Sequence, residues 1–362
     1  MIGLGNFNHG FRTQSSIFYL SSLFNLPFSN YFLLHLSPVF FMGFGNIIFY
    51  NKISESLGSK KSHFILYLSL LSLIFVNVFF YRLAEHGTDR SAMILIMVTI
   101  IELIYLTNIH INIKENSFLK LLILITLIIS LKSFYILYCL LIIPVIFYFY
   151  KNKISIIFFF KNIILYICLI FILLLLLVNF FNSGCLIYPV KILCFDGFSW
   201  SIPISEVELM HNFYQQWAKA GASPTFRIDN PELYIQSFNW VSNWIDMYFF
   251  NKVSDFLFGL IFLCFFVWAF VFAKKIKKMQ KINFWMIYIV LIVLLCEWFY
   301  LHPTLRYGGY HLIPLLLFMP LSKFFTRYSV KVPLLRKRVA YLILLTVIIF
   351  CSRNISRLNK EY

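Results

Sequence analysis

The densest group of ionisable side chains in the sequence lies in a short polar stretch between two apolar segments. Five of them fall within nine positions: Arg82, Glu85, His86, Asp89 and Arg90. A carboxylate in such a setting can deprotonate a sugar hydroxyl, and an arginine can bind a pyrophosphate. We predict Asp89 and Glu85 as catalytic carboxylates, or as ligands if the reaction uses Mg²⁺ or Mn²⁺, and Arg82, His86 and Arg90 as substrate ligands. The alternative is a solvated turn with local salt bridges.

A second candidate is residues 301–311, where a proline and two adjacent glycines interrupt an apolar pattern. These residues predict a break in the helix that exposes backbone groups. Arg306 and the two histidines His302 and His311 could there meet a phosphate or an oxyanion. We predict Arg306 as a catalytic residue, and His302, Tyr307 and His311 as substrate ligands.

The third candidate is the long polar stretch 182–255, which holds several tryptophans. Trp240 and Trp244 are four positions apart, a spacing that places both rings on one face of a helix. Aromatic faces stack on sugar rings, so we predict sugar contacts for Trp217, Trp240 and Tyr188. The alternative is an aromatic belt at a membrane surface.

The elements that carry these stretches are membrane helices. The chain has 362 residues, of which 61% are hydrophobic and only 12% charged. Soluble domains average about a quarter charged residues, so a soluble globular enzyme is excluded. Apolar segments of spanning length predict an all-α, polytopic fold of about ten membrane segments. They are 31–50, 64–81, 93–111, a hairpin over 118–150 that turns at Lys132, 162–181, 256–273, 282–300, 309–322 and 339–352.

The basic residues predict the orientation of these segments. Loops 51–61, 112–117, 151–161, 274–281 and 323–338 together hold 18 Lys and Arg and two acids, whereas the opposite loops hold 12 basic and 11 acidic residues. The first set is therefore predicted to be cytoplasmic. The net charge of +17 is then a membrane anchor facing anionic lipid, and nucleic acid is not a predicted partner.

This topology divides the chain into five parts. They are an extracytoplasmic or interfacial segment 1–30, a first membrane bundle 31–181, a large extracytoplasmic loop 182–255, a second bundle 256–352 and a tail 353–362. Residues 17–26 resemble an amphipathic interfacial helix. Because segment 1–30 is predicted outside without a preceding helix, we expect an upstream helix to be missing; the alternative is unaided translocation of a short tail.

Three further residues leave questions open. Cys185 and Cys194 lie in the large outer loop, where an oxidising compartment permits a disulfide, and the sequence favours neither the bonded nor the free form. Glu102 lies deep in a predicted span, which is costly unless it is paired, and its partner cannot be identified from the sequence.

Four stretches together resemble a large family of bacterial multi-pass membrane proteins of surface-polysaccharide loci, which is itself similar to membrane glycosyltransferases of the C-type superfamily. They are residues 3–12 (GLGNFNHGFR) with Ser15 and Ser16, Gly87–Asp89 at a helix start, residues 183–189 (SGCLIYP) and residues 303–308 (PTLRYG). That family has a first helix and an acidic segment before the Gly-Leu-Gly-Asn stretch, whereas this chain starts at Met1. C-type enzymes place their catalytic base in the first outer loop, so the next outer loop, with Asp89, takes on that role here or the product is inactive.

The resemblance implies a glycosyl-transferring protein of the bacterial inner membrane, either a glycosyltransferase or an O-antigen-type polymerase of lipopolysaccharide synthesis. Its substrate would be a polyprenyl-diphosphate-linked sugar on the extracytoplasmic side, and its partners membrane lipid and other polysaccharide-assembly proteins. Arg306 and Arg12 would neutralise the leaving diphosphate. Two alternatives stay open: a lipid-carrier flippase, and a non-catalytic membrane partner of the synthesis complex.

Overall fold

A computed structural model describes most of the chain, and every regular element in the described part is helical. The described residues are 2–28, 33–34, 36–58, 63–82, 88–108, 115–154, 160–221, 230–274, 282–328 and 330–361. The main helices are α1 Ser16–Leu23, α2 Leu36–Gly58, α3 His63–Phe79, α4 Thr88–Asn108, α5 Glu115–Leu131, α6 Ser133–Lys151, α7 Ile163–Ser183, α8 Ile204–Lys219, α9 Pro231–Ile235, α10 Val241–Val271, α11 Trp285–Leu301, α12 Gly309–Phe325 and α13 Val332–Glu361.

Five helices in the described part of the chain are long and apolar enough to cross a membrane: α4, α6, α7, α10 and α13. Helices α3, α11 and α12 are shorter and also apolar. In α7 only 11% of the most apolar stretch is buried inside the protein. An apolar surface of this size is unfavourable in water, so α7 has the character of a lipid-facing helix.

The chain forms two compact units, each built from segments that are distant in sequence. The first contains residues 1–16, 122–257 and 292–310, and the second residues 17–121, 258–291 and 311–362. In the second unit α3 packs against α2, α4 and α13. Residues 63–76 of α3 are all buried, as expected for a helix that is apolar on every side.

The second unit also supplies the partner of Glu102. Lys52 of α2 lies 3.1 Å from the Glu102 carboxylate of α4, and its ammonium lies 3.8 Å from the centre of the Tyr105 ring. An acid in an apolar helix is costly unless it is paired. Lys52 is therefore the partner of Glu102 that the sequence alone does not identify.

In the first unit the N-terminal residues pack against the end of α7 and the chain that follows it. Gly3 donates its N–H to the Phe181 carbonyl at 2.8 Å, and Asn6 donates to the Trp200 carbonyl at 2.8 Å. A Cβ on Gly5 would lie 2.7 Å from the Asn182 carbonyl oxygen, closer than any side chain permits. Close packing of the backbone therefore explains the two glycines, Gly3 and Gly5, of the Gly-Leu-Gly-Asn stretch.

Several predicted boundaries agree with the structure. The helix break at Lys132 is present, because Lys132 is extended between α5 and α6, and α4 begins at Thr88 as the Gly87–Asp89 stretch predicts. A helix is present in the predicted segment 17–26, but α1 ends at Leu23, before the predicted end. The tail 353–362 is not separate in the described residues, since α13 continues through it to Glu361.

The two loop cysteines are bonded. Cys185 and Cys194 form a disulfide that closes a short loop directly after α7. Around it lies a small buried cluster with Tyr188, Ile202 and Val207. This cluster joins the loop to the first turn of α8.

Candidate functional site

The first unit gathers cationic and aromatic side chains around His302, which lies in the turn between α11 and α12. The Nδ1 atom of His302 is buried and has no hydrogen-bond partner in the described part of the chain. Burial, and to a smaller extent interactions with His211, Lys219 and Lys132, together lower the pKa of His302 to about 3. His302 is therefore neutral at physiological pH and lies in a region of positive potential.

Two of these groups, the Lys219 ammonium and the His211 imidazole, come from one face of α8. His211, Gln215 and Lys219 are spaced four apart, which aligns their side chains along the helix. The Gln215 amide nitrogen lies 2.9 Å from His211 Nε2, and Lys219 Nζ donates to Gln215 Oε1 at 3.1 Å. This chain of hydrogen bonds links a buried ammonium to the imidazole that faces His302.

Lys219 itself is only 1% exposed. Its Nζ donates to the Ile235 carbonyl at 2.9 Å and lies between 5 and 6 Å from the ring centres of Trp240 and Tyr300. Burial lowers the pKa of Lys219 to about 8. The ammonium is thus charged at neutral pH and loses its charge under mildly alkaline conditions.

Aromatic rings form the other side of the cluster. The ring of Phe134 lies 5.0 Å from that of His302 and 5.7 Å from that of Tyr307, and the ring of Trp217 lies 6.3 Å from Tyr307. Lys132 Nζ lies 4.5 Å from the centre of the Tyr307 ring, and the exposed Arg306 lies 5.8 Å from it. Cations over aromatic faces suit a ligand that carries both a sugar ring and a negative charge.

The turn that carries His302 is held by hydrogen bonds to three side chains. Trp244 Nε1 donates to the Pro303 carbonyl at 2.8 Å, and Trp298 Nε1 donates to the Thr304 carbonyl at 2.7 Å. The hydroxyl of Tyr248 accepts a hydrogen bond from the Leu305 N–H at 3.0 Å. The predicted break between α11 and α12 is present, but these backbone carbonyls are bonded rather than open to a ligand.

Arg12 and Tyr188, both predicted to contact substrate, lie together in a separate part of the first unit. Arg12 is buried and donates to the Gly5 carbonyl at 2.9 Å, to the Tyr188 hydroxyl at 2.9 Å and to Glu206 at 2.7 Å. Each of its three nitrogens has a protein partner. Arg12 therefore fastens the N-terminal segment to the loop and to α8, and its charge is already neutralised by Glu206.

We expect Arg12→Met to lower the free energy of unfolding by about 2 kcal/mol, because it leaves the Gly5 carbonyl and Glu206 without their buried partner. The matched control is Lys191→Met. The Lys191–Glu208 pair has the same length, 2.7 Å, but both side chains are more than half exposed, so its loss should cost less than about 0.5 kcal/mol. Chemical denaturation of the purified protein in mild detergent measures both values. Equal losses would contradict this role of Arg12.

Two other predicted residues are fully buried, and of these Trp240 contacts the cluster through Lys219. Trp240 is fully buried, packs against Trp244 and Phe299, and donates its indole N–H to the Ser237 carbonyl. It is a core residue. His311 is also fully buried, inside α12 in the second unit.

The residues of the 82–92 stretch belong to the second unit as far as they are described. Asp89 is buried in the first turn of α4, where the positive end of the helix dipole stabilises a carboxylate. Arg90 lies over the Phe80 ring, and Arg82 is exposed. Glu85 and His86 lie outside the described residues. Among the described residues, no three His, Cys, Asp or Glu side chains come together as metal ligands.

Sequence reasoning selected His302, Arg306, Tyr307 and Trp217 but missed Lys132, Phe134, His211, Gln215 and Lys219 as members of one cluster. The signal available for three of them was the four-residue spacing of His211, Gln215 and Lys219 in a stretch predicted to be a loop. For Lys132 the sequence predicts only the position of a turn between two helices. Nothing in the local sequence connects it to His302.

The family to which the chain belongs is defined by a model that matches residues 1–313 and is described as a domain of unknown function, DUF8201. The match includes the whole first unit and the larger part of the second. No curated protein and no solved structure matches the chain.

Proposed function

We propose that this protein is a multi-pass glycosyl-transferring protein of the bacterial inner membrane that acts in surface-polysaccharide assembly. Its substrate would be a polyprenyl-diphosphate-linked sugar or oligosaccharide on the extracytoplasmic side. The reaction joins the sugar to a hydroxyl group of a second glycan. The acceptor oxygen bonds to the anomeric carbon of the sugar and gives its proton to a base or to water, while the C–O bond to the diphosphate breaks and the diphosphate leaves with the electron pair.

The observation that carries this proposal is the cluster around His302. Lys132 and Lys219 supply positive charge near His302 from two parts of the first unit, and the His211 imidazole, whose pKa is lowered by burial, belongs to the same cluster. A leaving diphosphate gains charge as its bond to the sugar breaks, so fixed cations stabilise that step. The rings of Phe134, Trp217 and Tyr307 provide faces for the sugar.

His302 contributes in a way that depends on the ligand. Its pKa is low because it is buried among cations. A bound diphosphate neutralises those cations and raises the pKa, so the imidazole can take up a proton and donate a hydrogen bond to the leaving group. The site thus gains a positive charge when the anion is present.

Asp89 and Arg306 test the enzymatic function in cells. We expect Arg306→Ala, which removes the guanidinium beside the Tyr307 ring, to reduce the amount or the chain length of surface glycan about tenfold or more in a strain that lacks the chromosomal copy. Asp89→Asn tests separately whether the carboxylate predicted from the sequence, which lies in the second unit, is required. Asp196→Asn, which changes an exposed acid just after the disulfide loop, is the control and should restore wild-type glycan. Membrane levels of each variant are measured by immunoblot. If both variants restore wild-type glycan, the enzymatic function is refuted.

The disulfide supports extracytoplasmic placement of the loop after α7, because such bonds persist in oxidising compartments. We expect Cys185 and Cys194 to resist maleimide labelling in protein purified under non-reducing conditions and to react fully after reduction. Cys139, Cys296 and Cys351, which are exposed and unbonded, are internal controls on the same chain. Peptide mass spectrometry reads each site. Free thiols at both loop positions would contradict the proposed orientation.

A further inference from the structure

A cavity of about 500 Å³ opens in the second unit, between the end of α3 and the last turns of α13. Its size falls within the range of about 300–1,000 Å³ that is typical of small-molecule sites. Its polar lining consists mainly of four cations and two hydroxyls: Arg82, Arg353, Arg357, Lys360, Ser352 and Ser356. None of the described residues that line it is acidic.

The spacing on α13 places these groups on one face. Arg353, Arg357 and Lys360 are four and three residues apart, and Ser352 and Ser356 are four apart, so each set forms a row along the helix. Hydroxyl donors therefore lie beside guanidinium and ammonium donors. This combination is typical of sites that bind phosphate oxygens.

Two contacts hold the cavity wall in place. The Arg353 guanidinium lies 3.7 Å from the centre of the Tyr81 ring and donates to the Val78 carbonyl at 2.6 Å, which ties α13 to the end of α3. The pKa of the Tyr81 phenol is lowered, first by a hydrogen bond from Arg82 and also by Arg353. The potential at this wall is therefore positive.

Four cations around one cavity repel each other, and an anion with two or more charges relieves that repulsion while it accepts hydrogen bonds from several of them. We propose that this cavity binds a phosphate or diphosphate group, supplied by a lipid head group or by a soluble ion. The proposal concerns the second unit alone. It does not depend on the function proposed for the first unit.

The test measures modification of individual arginines by phenylglyoxal in the purified full-length chain, with peptide mass spectrometry as the readout. Sodium pyrophosphate is the soluble probe, and phosphatidic acid in the detergent micelle, compared with phosphatidylcholine, is the lipid probe. We expect at least one probe to slow modification of Arg357 about tenfold at saturation. Arg336, exposed near the start of the same helix, is the internal control and should react at an unchanged rate.

Variants show whether protection arises in the cavity. Lys360→Gln removes one lining cation and should raise the half-protecting concentration about tenfold, whereas Lys337→Gln, elsewhere on α13, should leave it unchanged. Protection by pyrophosphate assigns a soluble ligand, and protection by phosphatidic acid alone assigns a lipid head group. The proposal is overturned if neither probe protects Arg357, or if Lys360→Gln and Lys337→Gln give the same protection as the unchanged chain.

Discussion

Replacing His302 by glutamine is expected to reduce kcat by about 100-fold or more, the effect typical of losing one donor that stabilises a developing oxyanion. Glutamine can still donate a hydrogen bond, but it cannot take up a proton when the diphosphate binds. The rate is measured as release of polyprenyl diphosphate in proteoliposomes. The substrate is the lipid-linked glycan extracted from a strain that lacks the protein.

A histidine elsewhere in the first unit serves as the matched control. His9 is exposed in the N-terminal segment, so His9→Gln should leave kcat unchanged. The His302 variant is expected to fold, because the surrounding turn is held by Trp244, Trp298 and Tyr248 through backbone atoms rather than through the imidazole. A His302→Gln protein that turns over at the wild-type rate would remove His302 from the mechanism.

The second large effect is expected at Lys219. Its pKa of about 8 means that the free protein carries this charge below pH 8 and loses it as the pH rises through that value. Because kcat/KM reports the free protein, it should fall on the alkaline side with a midpoint near pH 8. Lys219→Met removes the charge at every pH and should lower kcat/KM at pH 7 about tenfold, since one cation of the cluster around His302 is lost.

A charge-preserving variant distinguishes the effect of the Lys219 charge on kcat/KM from the effect of its side-chain packing. Lys219→Arg keeps a positive charge throughout this range, so the alkaline fall in kcat/KM should disappear even if the rate at pH 7 changes. Lys191→Met removes an exposed lysine from the same unit and should reproduce the wild-type profile. An alkaline limb that persists unchanged in the arginine variant would show that another group titrates there.

The helices could be predicted from the sequence because an apolar run of spanning length has few alternatives to a helix. The sequence predicts the interruption at Lys132 because a cation lies within an apolar run. It predicts the break before Gly309 because a proline and, five residues later, two adjacent glycines disrupt a helix. The start of α4 at Thr88 was marked by a glycine and a first-turn acid. These are local signals, and local signals determine where an element begins and ends.

The cluster could be predicted only in part, because its members meet through tertiary packing. Lys132, His211 and His302 come from three distant parts of the chain, and a hydrophobic pattern does not say which polar faces meet. The same reason explains Arg12: its type suggested a diphosphate ligand, but its partners Tyr188 and Glu206 are far away in sequence. The spacing of Trp240 likewise suggested a sugar contact, but that spacing does not show that the Trp240 side chain is buried.

The most direct test of the proposed function is the leaflet distribution of polyprenyl-diphosphate-linked glycan in cells without this protein, complemented with the wild-type chain or with His302→Gln. If the protein transfers sugar on the outer face, the unconsumed lipid-linked glycan accumulates in the outer leaflet of the deletion and His302→Gln strains, and the wild-type chain clears it. Accumulation in the inner leaflet would instead identify a flippase. Unchanged lipid-linked glycan in every strain would contradict any role in its use.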